Sequence, residues 1–287
     1  MVKKYVNLMI NSTFYDMIAE YDCFINEVFP RLREYCSDKD IEIGFRDVAF
    51  SAKELPADDN ILLQDFRCID ADRTFFICFR AQKLGWRPDY TNINRITVQE
   101  YPEITSFIGN ISITELAIMH ALVPFKRCVN GETMDLPPVK HSLFYFRKPD
   151  YLDDLNEAQR NFYGNVSNGE LKLIQDLEIA RAKDLIHYIK GQFDKDGNND
   201  SRIVIRHYDA RWDETLDTYD VFDDYTQKYS ELVNRQLDEF YEIHDEYLCK
   251  DHQGCLTDLN IDGKPFADVM FDDIVNELKL EFPQNFE

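Results

Sequence analysis

Nothing in this chain of 287 residues approaches the ~18 consecutive apolar residues of a membrane span. The amino terminus offers two lysines but no long apolar stretch before a small-residue cleavage site, so no signal peptide is expected. Cations are scarce. Thirty-two Lys and Arg face 54 Asp and Glu, a formal net charge of −22. Phosphate backbones and acidic lipids repel such a surface, because non-specific nucleic-acid affinity depends on Lys and Arg displacing counterions. Neither nucleic acid nor membrane is therefore expected as a partner, and short basic stretches such as Lys83–Arg87 and Arg202–Arg206 do not reverse the field. Cysteines number seven, an odd count without a regular framework. That pattern fits free thiols in a reducing, cytoplasmic compartment. Neither a repeat of about 20–50 residues nor a Gly-x-x-x-x-Gly-Lys-Ser/Thr phosphate loop occurs anywhere.

Apolar residues make up 44% and aromatics 14%, enough for a substantial core. The first thirty-three residues are the most informative. Tyr5–Ile10 reads as a short buried strand that stops at Asn11-Ser12-Thr13, and Phe14 onward reads as a helix running to Arg33. Ser12 or Thr13 is placed to cap that helix, since a short side-chain oxygen accepts from first-turn amides. Asp16 and Glu20 complement the positive end of its dipole. Further strands are expected at Ile41–Asp47, Arg73–Phe79, His141–Arg147 and Arg202–Tyr208, with helices at Leu62–Ile69, Ser112–Leu122 and Leu171–Ile189 between them. Near-continuous apolar strands alternating with helices imply an α/β fold, a flavodoxin-like or TIR-like parallel sheet with helices on both faces. Ligands of such sheets bind at the carboxyl ends of the strands, where Ser12 and Thr13 lie.

Ala52–Asn60, Cys128–Pro138 and Asp194–Asp200 read as loops. The last lacks the glycine and the bidentate Glu of a calcium loop, because Asn199 and Ile205 occupy those places. From Asp223 to Tyr247, Tyr225, Tyr229, Leu232, Val233, Leu237, Phe240 and Tyr241 recur at helical spacing. A break from Cys249 to Pro265 precedes a second helical pattern from Phe266 to Leu278. Two units are expected, an α/β domain over 1–222 and a helical carboxyl-terminal extension over 223–287.

Several motifs resemble one family. Asn11-Ser-Thr-Phe-Tyr-Asp16-Met-x-x-Glu20 followed by Glu27-Val-Phe-Pro-Arg-Leu-Arg33 looks like the opening of the TIR-like domain at the amino terminus of NACHT and WD-repeat proteins. The likeness continues through Asp70-x-x-Arg73-Thr-Phe-Phe-Ile, Gly85-Trp86-x-Pro88, Ser112-Ile-Thr-Glu115, Phe144-Tyr-Phe-Arg147-x-Pro149-x-Tyr151-Leu and Arg206-His-Tyr208-Asp-x-x-Trp212, in order, over residues 5–245. Asn11 and Tyr21 depart from the family wording. The family's Asp-Leu-Arg-Trp-Gly becomes Asp47-Val-Ala-Phe-Ser51, which loses its arginine, and Arg80-Ala-Gln-Lys-Leu84 replaces a Gly-x-Arg-Tyr-like turn. The resemblance implies intracellular signalling or scaffolding through protein contacts or self-association. Its alternative is an NAD-cleaving or nucleoside-processing enzyme.

Under that alternative Glu115 is the catalytic candidate, a carboxylate that stabilises the oxocarbenium charge as nicotinamide leaves. Ser12, Thr13, Asp16, Asp47, Trp86 and Ser112 would line the NAD crevice. The plainer reading makes Ser112 and Glu115 the two halves of a capping box. Cys249-x-x-His252-x-x-Cys255, with His244 upstream, has zinc-ligand residue types but a cramped spacing, so a polar hinge between helices is the preferred reading. Trp212 reads as a packing residue.

Overall fold

A computed structural model describes residues 3–13, 15–47, 61–83, 85, 87–88, 93–163, 169–196, 202–217 and 253–287. Seven strands form one sheet in the order β2-β1-β3-β6-β7-β8-β9. They are β1 (Lys4–Asn11), β2 (Ile41–Asp47), β3 (Thr74–Arg80), β6 (His141–Arg147), β7 (Arg202–Asp217), β8 (Gln253–Ile261) and β9 (Lys264–Pro265). The first five run parallel, and β8 returns antiparallel along β7. Counted alone, the five parallel strands have the 2-1-3-4-5 order of flavodoxin-like sheets, whose winding reverses between β1 and β3. Those two strands pair directly, Leu8 opposite Phe75. All seven residues of β3 and of β6 are buried, which explains their continuous apolar runs: both faces of a central parallel strand are covered.

Alternation along the strands creates two cores. Val6, Leu8, Ile10, Phe75, Ile77, Phe79, Leu143 and Tyr145 face α1 (Ile18–Cys23), α2 (Phe29–Cys36) and α8 (Phe266–Glu281). Met9, Phe76, Cys78, Phe144, Phe146 and Ile203 face α3 (Ile61–Ile69), α5 (Ile113–Leu122) and α7 (Gly169–Asp196). Two further helices among the described residues are α4 (Arg95–Glu100) and α6 (Glu157–Tyr163). The opening helix has an irregular course: a 3-10 turn over Tyr15–Met17, α1, a π turn over Phe24–Val28, then α2. Pro30 supplies a cause. It has no amide to give Asn26, and its ring crowds that carbonyl, so the chain widens there.

Three expectations need correction. Cys128–Pro138 is largely a hairpin: β4 (Phe125–Val129) pairs with β5 (Glu132–Leu136) across Asn130-Gly131, both at positive φ, as a tight two-residue turn demands. β7 extends far past Tyr208, to Asp217. The break from Cys249 to Pro265 holds β8, so the last segment contributes a strand as well as a helix. Its adjacent residues Cys255 and Leu256, on opposite faces of the strand, are both buried, and the inner face of α8 joins the same core as β1 and β3. The expected boundary at 222/223, the helix from Asp223 to Tyr247 and most of the loops over 52–60 and 194–200 lie outside the described residues, although α7 runs through Asp196.

Candidate functional site at the carboxyl edge of the sheet

β1 ends at Asn11, and the next residues turn inward. The Thr13 hydroxyl donates to Asp16 Oδ1 at 2.5 Å, and Ser12 Oγ lies 3.0 Å from the Tyr21 hydroxyl. Thr13 thus donates to the Asp16 carboxylate rather than accepting from a first-turn amide as expected, and α1 starts after Met17 without a side-chain cap. Asp16 and Glu20, one helical turn apart, point under the sheet edge and are fully buried. The last residue of β6, Arg147, meets them there. Its Nη1 donates to Glu20 Oε1 at 2.8 Å, its Nη2 donates to the Asp16 carbonyl at 2.8 Å, and the Asp16 carboxylate lies 3.7 Å away. Tyr208 of β7 donates to the same Glu20 oxygen at 2.7 Å. The guanidinium also sits 4.8 Å over the Tyr151 ring and 5.8 Å from that of Tyr163, and Gln82 binds both the Arg147 carbonyl and the Tyr151 hydroxyl.

Burial works against the charge on Arg147, but Glu20 and then the other neighbours outweigh it, so its affinity for the proton rises. Burial pushes the Tyr208 hydroxyl well up, reinforced by Glu20, and raises Tyr151 to about 12. Tyr151 and Tyr208 therefore stay protonated donors, and burial raises the Tyr163 hydroxyl as well. The arrangement is a buried charge lock that ties the ends of β6 and β7 to α1, although Asp16 Oδ2, Glu20 Oε2 and Arg147 Nε have no hydrogen-bond partner.

Glu115 lies elsewhere. It is buried on the opposite face of the sheet, in the first turn of α5. Ser112 caps that helix, accepting from the Glu115 amide at 3.2 Å. The carboxylate does not complete the capping box. It makes a two-pronged bond with Arg181 of α7, both contacts at 3.0 Å. Among the described residues, no hydrogen bond or ion pair joins Ser112 or Glu115 to the Ser12–Thr13–Asp16 group. Asp47 closes β2. Trp86 lies outside the described residues, as do His244, Cys249 and His252, three of the four zinc candidates. Cys255 is buried in β8 with its thiol raised to about 12 by burial, which opposes thiolate ligation. Among the described residues no group of three His, Cys, Asp or Glu is placed to hold a metal.

Over 177 aligned residues, 58% of this chain, the sequence is 23% identical to a TPR repeat-containing protein of Dictyostelium discoideum. The chain spans a tenth of that relative's length. No family model matches the sequence, and no solved structure matches it. Among the described residues no helix is long and apolar enough to cross a membrane.

Arg147, Tyr151 and Tyr208 carry no chemical signal in the sequence, and Glu20 only that of a charge at the helix start, yet each lies inside a motif that carries the resemblance. The motifs are distant in sequence and converge on one buried lock. A second network ties down the amino edge: Asp70 accepts from Tyr101, meets His120 Nε2 at 2.7 Å and pairs with Arg127 at 3.3 Å. Trp212 packs as expected, its ring 5.5 Å from Tyr163.

Proposed function

We propose that this chain is a TIR-like α/β module of the cell interior that acts through protein contacts, self-association included, rather than by cleaving NAD. The observation that carries the reading is the pairing of Glu115 with Arg181. An oxocarbenium-like transition state needs a carboxylate whose negative charge is not already answered, and both oxygens of Glu115 are engaged by a guanidinium. Asp16 and Glu20 pair with Arg147 through one carboxylate oxygen each, at 3.7 and 2.8 Å. The net charge of −22 supports a protein partner over nucleic acid. A relative named for its TPR repeats supports it further, since stacked repeats of that kind present binding surfaces.

The test incubates the purified chain with NAD, both dilute and chemically cross-linked, and measures nicotinamide alongside mass by light scattering. We expect no nicotinamide in either state, and a concentration-dependent mass that Glu115→Gln leaves unchanged. Nicotinamide release by the wild type that disappears in Glu115→Gln would overturn the proposal.

A further inference from the structure

Among the described residues two arginines are almost completely buried, and they are treated differently. Arg147, 2% exposed, has two carboxylates. Arg80, 3% exposed at the carboxyl end of β3, has none: its Nη1 is buried without a hydrogen-bond partner, and no ion pair joins it to any described residue. Cys78 precedes it on the same face and contacts Asn11 of β1; Phe146 of β6 lies opposite it in register. Neither is anionic. A guanidinium does not shed its proton in proteins, and an unanswered buried charge is strongly destabilising. The fold tolerates at Arg80 what it avoids at Arg147.

We propose that Arg80 anchors a binding site for a small oxyanion, the phosphate or carboxylate group of a soluble ligand, at the β1/β3 end of the sheet. The position is where the winding reverses, and ligands of open α/β sheets bind in the crevice beyond it. Arg80 belongs to the face covered by α5. Five residues on, the backbone at Gly85 runs against the first turn of that helix, so close that a Cβ there would lie 2.5 Å from Thr114 Oγ1 and 3.4 Å from Ser112 Cβ. Ser112 answers the amide of Glu115, while the earlier amides of a first turn have no intrahelical acceptor. A guanidinium fork and helix-start amides are two donors that favour the same ligand charge. The proposal is independent of the function proposed above.

The test is thermal unfolding and calorimetric titration of the full chain with sodium phosphate, pyrophosphate and malonate, each against sodium chloride of equal ionic strength. A phosphate ligand predicts a saturable response to the first two, a carboxylate ligand a response to malonate. We expect a saturable rise in Tm of about 2–5 °C with the matching anion. Arg80→Met should abolish the response while leaving the anion-free protein no less stable, because it removes an unanswered charge from the interior. Arg80→Lys keeps the charge but loses the fork, and should weaken binding about tenfold. The proposal fails if no anion gives a saturable response, if Arg80→Met retains it, or if Arg80→Met lowers the anion-free Tm as a broken ion pair would. Should Arg80→Met not fold, Arg80→Lys decides: unchanged affinity sinks the idea.

Discussion

Replacing Arg147 with methionine measures the charge lock directly. Methionine keeps most of the stem, so the change removes charge and donors more than volume. The side chains of Arg147, Asp16 and Glu20 all have 0% exposure. Deleting one partner of such a group leaves uncompensated buried carboxylates, a loss of about 3–5 kcal/mol. The guanidinium also stacks on Tyr151 and Tyr163, and a desolvated contact of that kind adds on the order of 1–2 kcal/mol. A total near 5 kcal/mol corresponds to about 10–20 °C in Tm for a domain of this size. Urea unfolding followed by circular dichroism would read it. Adding Glu20→Gln to Arg147→Met should recover about 1–3 kcal/mol, because one stranded charge is gone, so the pair is strongly non-additive. Arg31→Met serves as control: its bond to Asp268 joins side chains 42% and 53% exposed, and its loss should stay below about 1 kcal/mol. An Arg147→Met loss no larger than the control's, or an additive double mutant, would refute the electrostatic reasoning.

Two further expectations follow from particular residues. Gly254 has φ +110°, and a Cβ there would sit 2.1 Å from Trp212 Cζ2; Gly254→Ala should cost about 2–5 kcal/mol through strain and overpacking, read as a shifted tryptophan emission and a lower Tm. Hydrogen bonds from Arg67, and to a lesser degree from Arg127, hold the Glu100 carboxyl below its ordinary range despite burial. A carboxyl depressed on folding lends stability above its unfolded pKa of about 4.3, and that stability is lost as pH falls through the folded value; Glu100→Gln should therefore narrow the gap to wild type steadily below about pH 4.5, and a gap that widens with acid would refute the assignment.

The elements that could be read from the sequence are those whose burial is complete or whose caps are local. β3 and β6 are covered on both faces, so their sequences are unbroken apolar runs, and α5 announces itself through Ser112. What could not be read depends on pairing between distant parts. In the β4–β5 hairpin β5 is mostly exposed and β4 mostly half-buried, so it shows little alternation, and Asn130-Gly131 is its turn signal. β8 looks like a break because its only ladder is with the far end of β7 and a β9 of two residues. The partner of Glu115 was out of reach for a similar reason. A capping box is a local pattern, whereas Arg181 stands 66 positions away, and nothing in the spacing marks it.

Charge distribution at the sheet's carboxyl edge connects these observations. On the α1 face, three motif segments pair their charged groups with one another, which fixes the ends of β6 and β7 against α1. On the α5 face, Glu115 and Arg181 neutralise each other, and Arg80 is left as a buried cation with no answering charge among the described residues. No carboxylate among the described residues pairs with Arg80, whose Nη1 is buried without a hydrogen-bond partner, and on the proposed reading that position takes an anion from outside. Occupancy there would add a favourable contact to the folded state alone, so ligand and stability must be linked. A module that works by protein contact would then have a means of sensing a small metabolite at the end of β3, through the stability of the face that α5 and α7 cover.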